Sequence, residues 1–503
     1  LVRNLVLGGF SGRVYVVNSA ADAVAGMPAY SSVRDIPDRV ELAVVAVPAE
    51  AVQDVVLDCA AKGVHGLVVI SSGFAETGDE GRVRQRRLVG LARSYGLRLV
   101  GPNCLGVINT APDVSLNASL APVMPRLGRL GLFSQSAAIG LAILDRAQQR
   151  GLGISTFVSA GNRADVSGND LLQYWEDDEA TDVVLLYLES IGNPRKFSRI
   201  ARRVGRHKPV VAVKSGRTTH GVPAGHSVRP TVAPESAVDA MFRQAGVIGV
   251  DTLDEMFDVA QVLAHQPLPT GPRVAIVGNA DSLALLAADS AVAAGLVIDR
   301  SVDLGVDATA KDFERALVSA MGAPTVDAVI AVFIPAINAS GGAFADAVAT
   351  VGERSDKPLV STFVATQKLP ELLRVANRPE AERWAVPTYA DPAVAVRALA
   401  RVVSHAQWVS RPPSRARVFD DINRLQASAV VDRVLASSPL GAALDDNDMR
   451  SLLASYGIEL TPTTRVASLD EAIAAAETCG WNVVLKATAE RLRHRADLAH
   501  VWR

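Results

Sequence analysis

Cysteine is scarce: the 503 residues contain three, Cys59, Cys104 and Cys479. They stand too far apart for a metal-binding pair or a disulfide framework, which points to a reducing cytoplasm. No apolar run reaches the roughly 18 residues that a membrane span needs, and the start of the chain carries no signal-peptide pattern. No charge of one sign dominates. Fifty-one basic against 53 acidic residues leave a net charge of −2, so there is no electrostatic case for nucleic acid. The short basic cluster at 82–87 reads as a solvated helix face. Aromatic residues make up only 5%, while Ala, Val, Gly and Leu dominate, as in parallel sheets wrapped by helices.

At about 150 residues per domain, the length calls for three or four domains. The chain opens on Leu1, in a segment that reads as a helix already in progress, and stops at Arg503 soon after a strand-like run at 483–485. It reads as a piece of a longer protein. Between these ends, apolar runs at 14–17, 42–47, 66–70 and 97–100 alternate with amphipathic helical patterns such as 52–62 and 83–95. This is the signature of a parallel α/β sheet, whose ligands bind beyond the carboxyl ends of the strands. A second α/β unit has strands at 130–133, 154–158, 183–188 and 209–213. After the Pro-rich break at 266–272, a third has strands at 274–277, 328–334 and 359–363.

Two strand ends carry the chemistry. One is Gly101-Pro102-Asn103-Cys104-Leu105-Gly106. The other is Ser134-Gln135-Ser136, followed by a helical pattern over 137–150. A strand, a hydroxyl-rich turn and a helix N-terminus make an anion site, because the first helical amides are unpaired and the helix dipole is positive there. Ser134 and Ser136 read equally well as ordinary N-caps.

Taken together, Val69-Ile-Ser-Ser-Gly-Phe-Ala-Glu76, Val100-Gly-Pro-Asn-Cys-Leu-Gly106, Ser134-Gln-Ser136, Ser159-Ala-Gly-Asn162, Leu186-Tyr-Leu-Glu189, Lys214-Ser-Gly-Arg217 and Gln244-Ala-Gly-Val-Ile248 occur in an order that resembles the NDP-forming acyl-CoA synthetases. That family includes ADP-forming acetate–CoA ligase and the α subunit of succinyl-CoA synthetase. The resemblance implies an α/β protein with a CoA-binding Rossmann-like domain at 1–122 and two flavodoxin-like domains of the succinyl-CoA synthetase type at 124–265 and 273–405. A linker at 406–445 and the start of an ATP-grasp domain at 446–503 complete it.

The activity so implied interconverts acyl-CoA, phosphate and ADP with free acid, CoA and ATP, through an acyl phosphate and a phosphohistidine. The chemistry needs a neutral, oriented histidine that attacks phosphorus, and donors without competing charge for the phosphoryl group. The resemblance places His226 as that nucleophile, Glu189 as the carboxylate that holds it, and Ser134, Gln135 and Ser136 on the phosphoryl group. For CoA or acyl-CoA it points to Asn18, Pro48, Ser71, Ser72, Gly73 and Asn103, which on their residue types alone are strand-end turn residues. Lys486 matches the nucleotide-binding lysine of ATP-grasp domains, with ATP or ADP and Mg bound mostly by residues outside the chain. No metal site of the chain's own is expected, and Cys104 reads as a small buried residue.

The expected partners are a small carboxylic acid, CoA and phosphate, with homo-oligomerisation as a family habit. Four departures weigh against an unaided cycle. The Gly-rich CoA-diphosphate loop is expected ahead of Leu1, and the histidine loop reads His226-Ser-Val-Arg229-Pro230 with added bulk. Gly278-Asn-Ala-Asp-Ser282 stands where a glycine-rich loop is usual. Finally, the ATP-grasp domain is cut short, and its His-Lys-Ser-Asp stretch reads His494-Arg-Ala-Asp497. The piece alone is therefore expected to be inactive. The alternative within the same architecture is a non-catalytic, acyl-CoA-sensing region of a bacterial GNAT-type protein lysine acetyltransferase, with the transferase domain fused outside the piece.

Overall fold

The computed structural model describes residues 1–215, 235–335, 341–353, 355–365, 372–375, 384–412, 419 and 422–486. The chain forms two compact units, 1–412 and 413–503. The first opens with helix α1 (Val2–Leu7) and strands β1 (Val16–Val17), β2 (Ala23–Val24) and β3 (Met27–Tyr30). These strands make a small sheet of their own in the order β1-β3-β2. The expectation that residues 14–17 extend the parallel sheet is thus corrected: Val16 and Val17 pair with Ala29 and Tyr30. The run is too short and too exposed at Val17 to be buried on both faces.

The parallel sheet itself contains β4 (Leu42–Val45), β5 (Gly66–Val69) and β6 (Arg98–Val100), connected by α2 (Val52–Lys62) and α3 (Asp79–Ser94). Helix α2 presents Val52, Val56 and Cys59 to the core at spacings of four and three, and ends where Gly63 takes the left-handed conformation (φ 79°) that glycine allows at no steric cost.

Strands β7 (Gly106–Asn109) and β8 (Leu116–Ser119) leave this sheet and join the next one. That sheet also holds β9 (Leu127–Ser134), β10 (Ile154–Ser159), β11 (Val183–Leu188), β12 (Val210–Lys214) and β13 (Val247–Val250), in the order β13-β12-β11-β9-β10-β7-β8. Its helices are α4 (Ala137–Gln149), α5 (Gly168–Asp177), α6 (Pro194–Val204), α7 (Glu235–Ala245) and α8 (Leu253–His265). β7 runs antiparallel to β10, so residues 106–119 close the second sheet although the sequence pattern groups them with the first.

A third sheet follows, in the order β15-β14-β16-β17-β19-β18. It is built from β14 (Arg273–Gly278), β15 (Val297–Asp303), β16 (Ala328–Phe333), β17 (Leu359–Phe363), β18 (Leu372–Leu373) and β19 (Val386–Tyr389), with α9 (Asp281–Ala293), α10 (Ala310–Gly322), α11 (Gly342–Glu353) and α12 (Pro392–Ser410). In the second unit, the described residues form α13 (Arg424–Ser437), α14 (Asp446–Ala454) and α15 (Leu469–Cys479). The run at 483–485, expected as a strand, forms no regular strand there.

Strands β11 and β16 are buried at every residue, which explains their unbroken apolar runs. One face of the second sheet packs α5, α6 and α7 in a core with Trp175, Phe197 and Phe242. The other face packs α4 and α8 in a core that continues without a break into Val274, Ile276 and Leu399 of the third sheet layer. The Pro-rich break between them is therefore bound down. Gln266 donates from Nε2 to the Ala385 carbonyl (2.8 Å) and accepts from the Leu359 amide (2.8 Å).

Asp327 ties β14 to the start of β16, accepting from the Arg273 guanidinium (2.9 Å), the Arg273 amide (3.0 Å) and the Thr270 hydroxyl (2.8 Å). The Arg273 guanidinium leads in holding the Asp327 carboxyl down at about 2, against the cost of burial. A pKa depressed in the folded state stabilises above the usual carboxylate range, and the effect is lost as pH falls toward 2. Asp327→Asn should therefore cost roughly 1–3 kcal/mol at neutral pH. Denaturant unfolding across pH should show the gap to wild type closing between about pH 4 and pH 2.

Candidate functional site

The site is assembled where β9 and β11 end side by side, with Tyr187 opposite Ser134. Ser136 is the N-cap of α4 and accepts from the Ile139 amide (3.3 Å). Ser134 donates to the Ser136 carbonyl (2.7 Å) and accepts from its amide (3.2 Å), which fixes the turn between strand and helix. Both hydroxyls do serve as turn and cap, while the remaining amides of the first turn of α4 keep the character of an anion site.

Gln135 ties the ends of the two strands together. Its buried carboxamide accepts from the amides of Glu189 (2.8 Å) and Ser190 (2.9 Å) and donates to the Ser190 carbonyl (2.8 Å). It clamps the turn after β11, so its side chain positions Glu189.

Glu189 is pinned from both sides through its backbone. Gln135 takes its amide, and Lys214 Nζ donates to its carbonyl (3.0 Å). Its half-exposed carboxylate accepts no hydrogen bond among the described residues. Arg163 lies within electrostatic reach: burial pushes its guanidinium pKa down, and Glu189 pulls it back up. Arg163 donates to the Ser190 carbonyl and hydroxyl (2.6 Å each), on the far side of the same turn. Sequence reasoning missed Arg163; the signal available was a basic residue directly after the Ala160-Gly161-Asn162 turn that ends β10. His226 lies outside the described residues.

The expected CoA residues divide. Ser71 exchanges hydrogen bonds with the Val47 backbone, its hydroxyl accepting from the amide (3.1 Å) and donating to the carbonyl, which joins the ends of β4 and β5. Gly73 has φ +98°, and a Cβ there would stand 2.9 Å from Ala49 Cβ, so the turn after β5 packs directly on the turn after β4. Pro48 and Ser72 are exposed on these turns.

Asn103 joins them, donating from its amide to the Ser71 carbonyl (2.9 Å). Asn18 stands apart: its side chain caps the amides of Ala20 (2.8 Å) and Ala21 (3.1 Å), on a sheet separate from β4 and β5. Lys486 is exposed in the second unit. Burial pushes the Cys104 thiol up to about 12, and its sulfur contacts the Val69 carbonyl, so no thiolate forms near neutral pH.

A polar chain connects the two strand ends. Asn103 donates to Asn162 Oδ1 (3.3 Å), and Asn162 donates to Glu76 and to Gln85 Oε1 (2.9 Å). Burial would raise the Glu76 pKa, but hydrogen bonds from Asn162 and the amides of Phe74 and Gly73 hold it below the usual range. The turns touch closely here: a Cβ on Gly161 would fall 2.2 Å from the Asn103 carbonyl oxygen. Among the described residues no cluster of His, Cys, Asp or Glu could hold a metal ion, and no helix is long and apolar enough to cross a membrane.

An α/β chain with a CoA-type sheet, a flavodoxin-like sheet and paired strand-end turns is an acid–thiol ligase architecture. Comparison with known proteins agrees. A CoA-binding domain family matches residues 1–110, the succinyl-CoA ligase-like flavodoxin domain matches 127–263, and an ATP-grasp domain matches 436–502.

The chain is 34% identical to the ADP-forming acetate–CoA ligase I of Archaeoglobus fulgidus, over 98% of this chain and 73% of that one. It is 32% identical to the acetate–CoA ligase I α subunit of Pyrococcus furiosus, over 82% of this chain and 93% of that subunit. The 4-hydroxybutyrate–CoA ligase of Nitrosopumilus maritimus is 29% identical over 99% of this chain and 73% of its own length. Among solved structures, the acetyl-coenzyme A synthetase 1 of Ca. Korarchaeum cryptofilum, in complex with phosphate and ADP, superposes with a TM-score of 0.73 at 30% identity. That match covers 81% of this chain and 92% of that one. The chain belongs to the NDP-forming acyl-CoA synthetases, the family of the ADP-forming acetate–CoA ligases.

Gln135→Leu removes the clamp while keeping the bulk. Two amides, that of Ser190 buried and that of Glu189 partly buried, then lose their acceptor, which should cost roughly 2–4 kcal/mol in denaturant unfolding at about 1–3 kcal/mol per unsatisfied group, less what relaxation and water recover. A loss below 0.5 kcal/mol on the same scale would show that the clamp is dispensable.

Proposed function

We propose that the chain carries the CoA-dependent half of an ADP-forming acid–CoA ligase, with a small monocarboxylic acid as substrate. A phosphate oxygen attacks the thioester carbonyl, the carbon–sulfur bond breaks, and CoA leaves as thiol, giving an acyl phosphate. A nitrogen of His226 then attacks phosphorus and releases the carboxylate, and the phosphohistidine passes its phosphoryl group to ADP bound by the ATP-grasp domain.

Glu189 accepts the N–H of the neutral imidazole and so directs the other nitrogen at phosphorus. The first turn of α4, shaped by Ser134 and Ser136, holds the phosphoryl oxygens. Pro48, Ser71, Ser72, Gly73 and Asn103 serve the CoA side together with Asn18 from the separate small sheet, and Lys486 serves the nucleotide. The carrying observation is the side-by-side ending of β9 and β11, with a helix N-terminus on one and, on the other, a carboxylate that accepts no hydrogen bond among the described residues.

Incubation of the full-length protein with acetyl-CoA and labelled phosphate should give acid-labile, base-stable label that ADP removes. His226→Ala should abolish it. Glu189→Gln should slow labelling by about 10²-fold, the scale for losing one proton-handling group, with CoA affinity changed less than twofold. Label that persists in His226→Ala, or CoA affinity that falls in step with labelling in Glu189→Gln, would overturn this assignment.

A further inference from the structure

The segment that follows β10 runs along the end of β6 and is bonded to it through the backbone. Asn162, Ala164 and Val166 donate to the carbonyls of Pro102 (2.9 Å), Gly101 (3.0 Å) and Leu99 (3.0 Å). Where the two turns meet, three residues take left-handed backbone conformations: Asn103 (φ 57°), Gly161 (φ 50°) and Arg163 (φ 55°). Glycine and asparagine tolerate that region, but a residue with a long side chain adopts it at an energetic cost. Strain of this kind persists only where the surroundings over-determine it, and it gathers at positions that serve a function.

The side chains at 162 and 163 show what this turn holds. Every recorded side-chain bond of Asn162 goes to the first sheet and its helix α3. Its carboxamide donates to Glu76 and to Gln85 (2.9 Å) and accepts from Asn103 (3.3 Å). Glu76 in turn accepts from the amides of Gly73 (2.5 Å) and Phe74 (3.0 Å), on the turn after β5. Arg163, the next residue, sends both of its recorded side-chain bonds to Ser190, beside Glu189 on the turn after β11. Two consecutive residues thus grip the turns that serve CoA in the proposed function with one side chain, and the turn that carries Glu189 with the other.

We propose that Asn162 and Arg163 form one positioning unit for acyl transfer, which sets the thioester carried by the first sheet against the phosphate held by the second. The inference rests on the proposed ligase reaction and concerns one step of it. In that step a phosphate oxygen bonds to the thioester carbonyl carbon, the carbon–sulfur bond breaks, and the phosphate proton passes to sulfur. The two reacting partners belong to different sheets, so a displacement of about 1 Å between them can cost about 10²-fold in rate. Phosphoryl exchange between His226 and the nucleotide, in the same reading, uses no turn of the first sheet. Both residues act through the turns that they hold, Asn162 through Glu76 and Asn103, and Arg163 through Ser190.

Labelling of His226 in the full-length protein is followed by two routes, from acetyl-CoA with labelled phosphate and from γ-labelled ATP without CoA, each at saturating substrate. In Asn162→Ala the acetyl-CoA route should slow at least about tenfold relative to the ATP route, with acetyl-CoA affinity within about twofold of wild type. Arg163→Gln should lower the same ratio of rates. Because the two residues form one unit, the double variant should lower it no further than the more severe single variant. A ratio that stays at the wild-type value in Asn162→Ala overturns the inference, as does an acetyl-CoA affinity that falls in step with the rate, the mark of a residue that only holds CoA. Losses that multiply in the double variant overturn the single unit. Wild-type protein labelled by neither route overturns the proposed reaction itself, and this inference with it.

Discussion

The arrangement at the head of the second sheet depends on one buried carboxamide. Gln135 follows β9, yet all its recorded side-chain hydrogen bonds reach the turn after β11. Parallel neighbours in a sheet are joined by ladder bonds only along the strands; beyond the last pair the two chains are free to diverge. Gln135 continues the pairing for two more residues by mimicking a peptide group. That extension keeps Glu189 beside the N-terminus of α4 and holds Ser190 where Arg163 can grip it. A side chain lacking either the donor or the acceptor end could not substitute, because the clamp uses the Ser190 amide and carbonyl at once.

A second constraint joins the first sheet to the second. The loop after β10 returns to β6 through Asp165, which accepts from the Leu99 amide (3.0 Å), from Arg98 and from Arg93. Burial raises the Asp165 pKa, but the Arg98, Leu99 and Arg93 bonds outweigh it and keep the carboxylate ionised. The Val166 amide answers by donating to the Leu99 carbonyl (3.0 Å), so β6 has this loop as a neighbour at its edge. With Asn162 bonded to Glu76 and Asn103, the turns that face CoA in the proposed function and the turns that face phosphate form one hydrogen-bonded block. An acyl group carried on CoA would not have to cross a mobile boundary to reach the phosphoryl side.

The sequence revealed elements well where local signals agreed. The helix at 52–62 and the strands at 183–188 and 359–363 fall where periodicity and apolar runs placed them. Each is bounded by a glycine, a capping residue or a charged turn. It failed where pairing is long-range. Nothing in residues 106–119 says which sheet they join, because that is decided by antiparallel pairing with β10 some fifty residues later. The site divides in the same way. Ser136 and Glu189 were legible as a helix cap and a strand-end carboxylate. The clamp by Gln135 was not, since a glutamine inside a Ser-Gln-Ser turn carries no mark of whether it faces a ligand or a neighbouring strand.

The condition of Glu189 follows from these constraints. A carboxylate that already accepts strong hydrogen bonds is a poor acceptor for an incoming imidazole, since each new bond must displace an old one. Here the backbone on both sides of the carboxylate is fixed by Gln135 and Lys214, while the carboxylate itself is left without a donor among the described residues. Partial exposure keeps the cost of that open state low. The orienting energy is thus spent in the backbone, during folding, and the side chain is held in place with its acceptor capacity intact. In the proposed function, that open acceptor suits a transient imidazole partner that would be released and recaptured in every cycle.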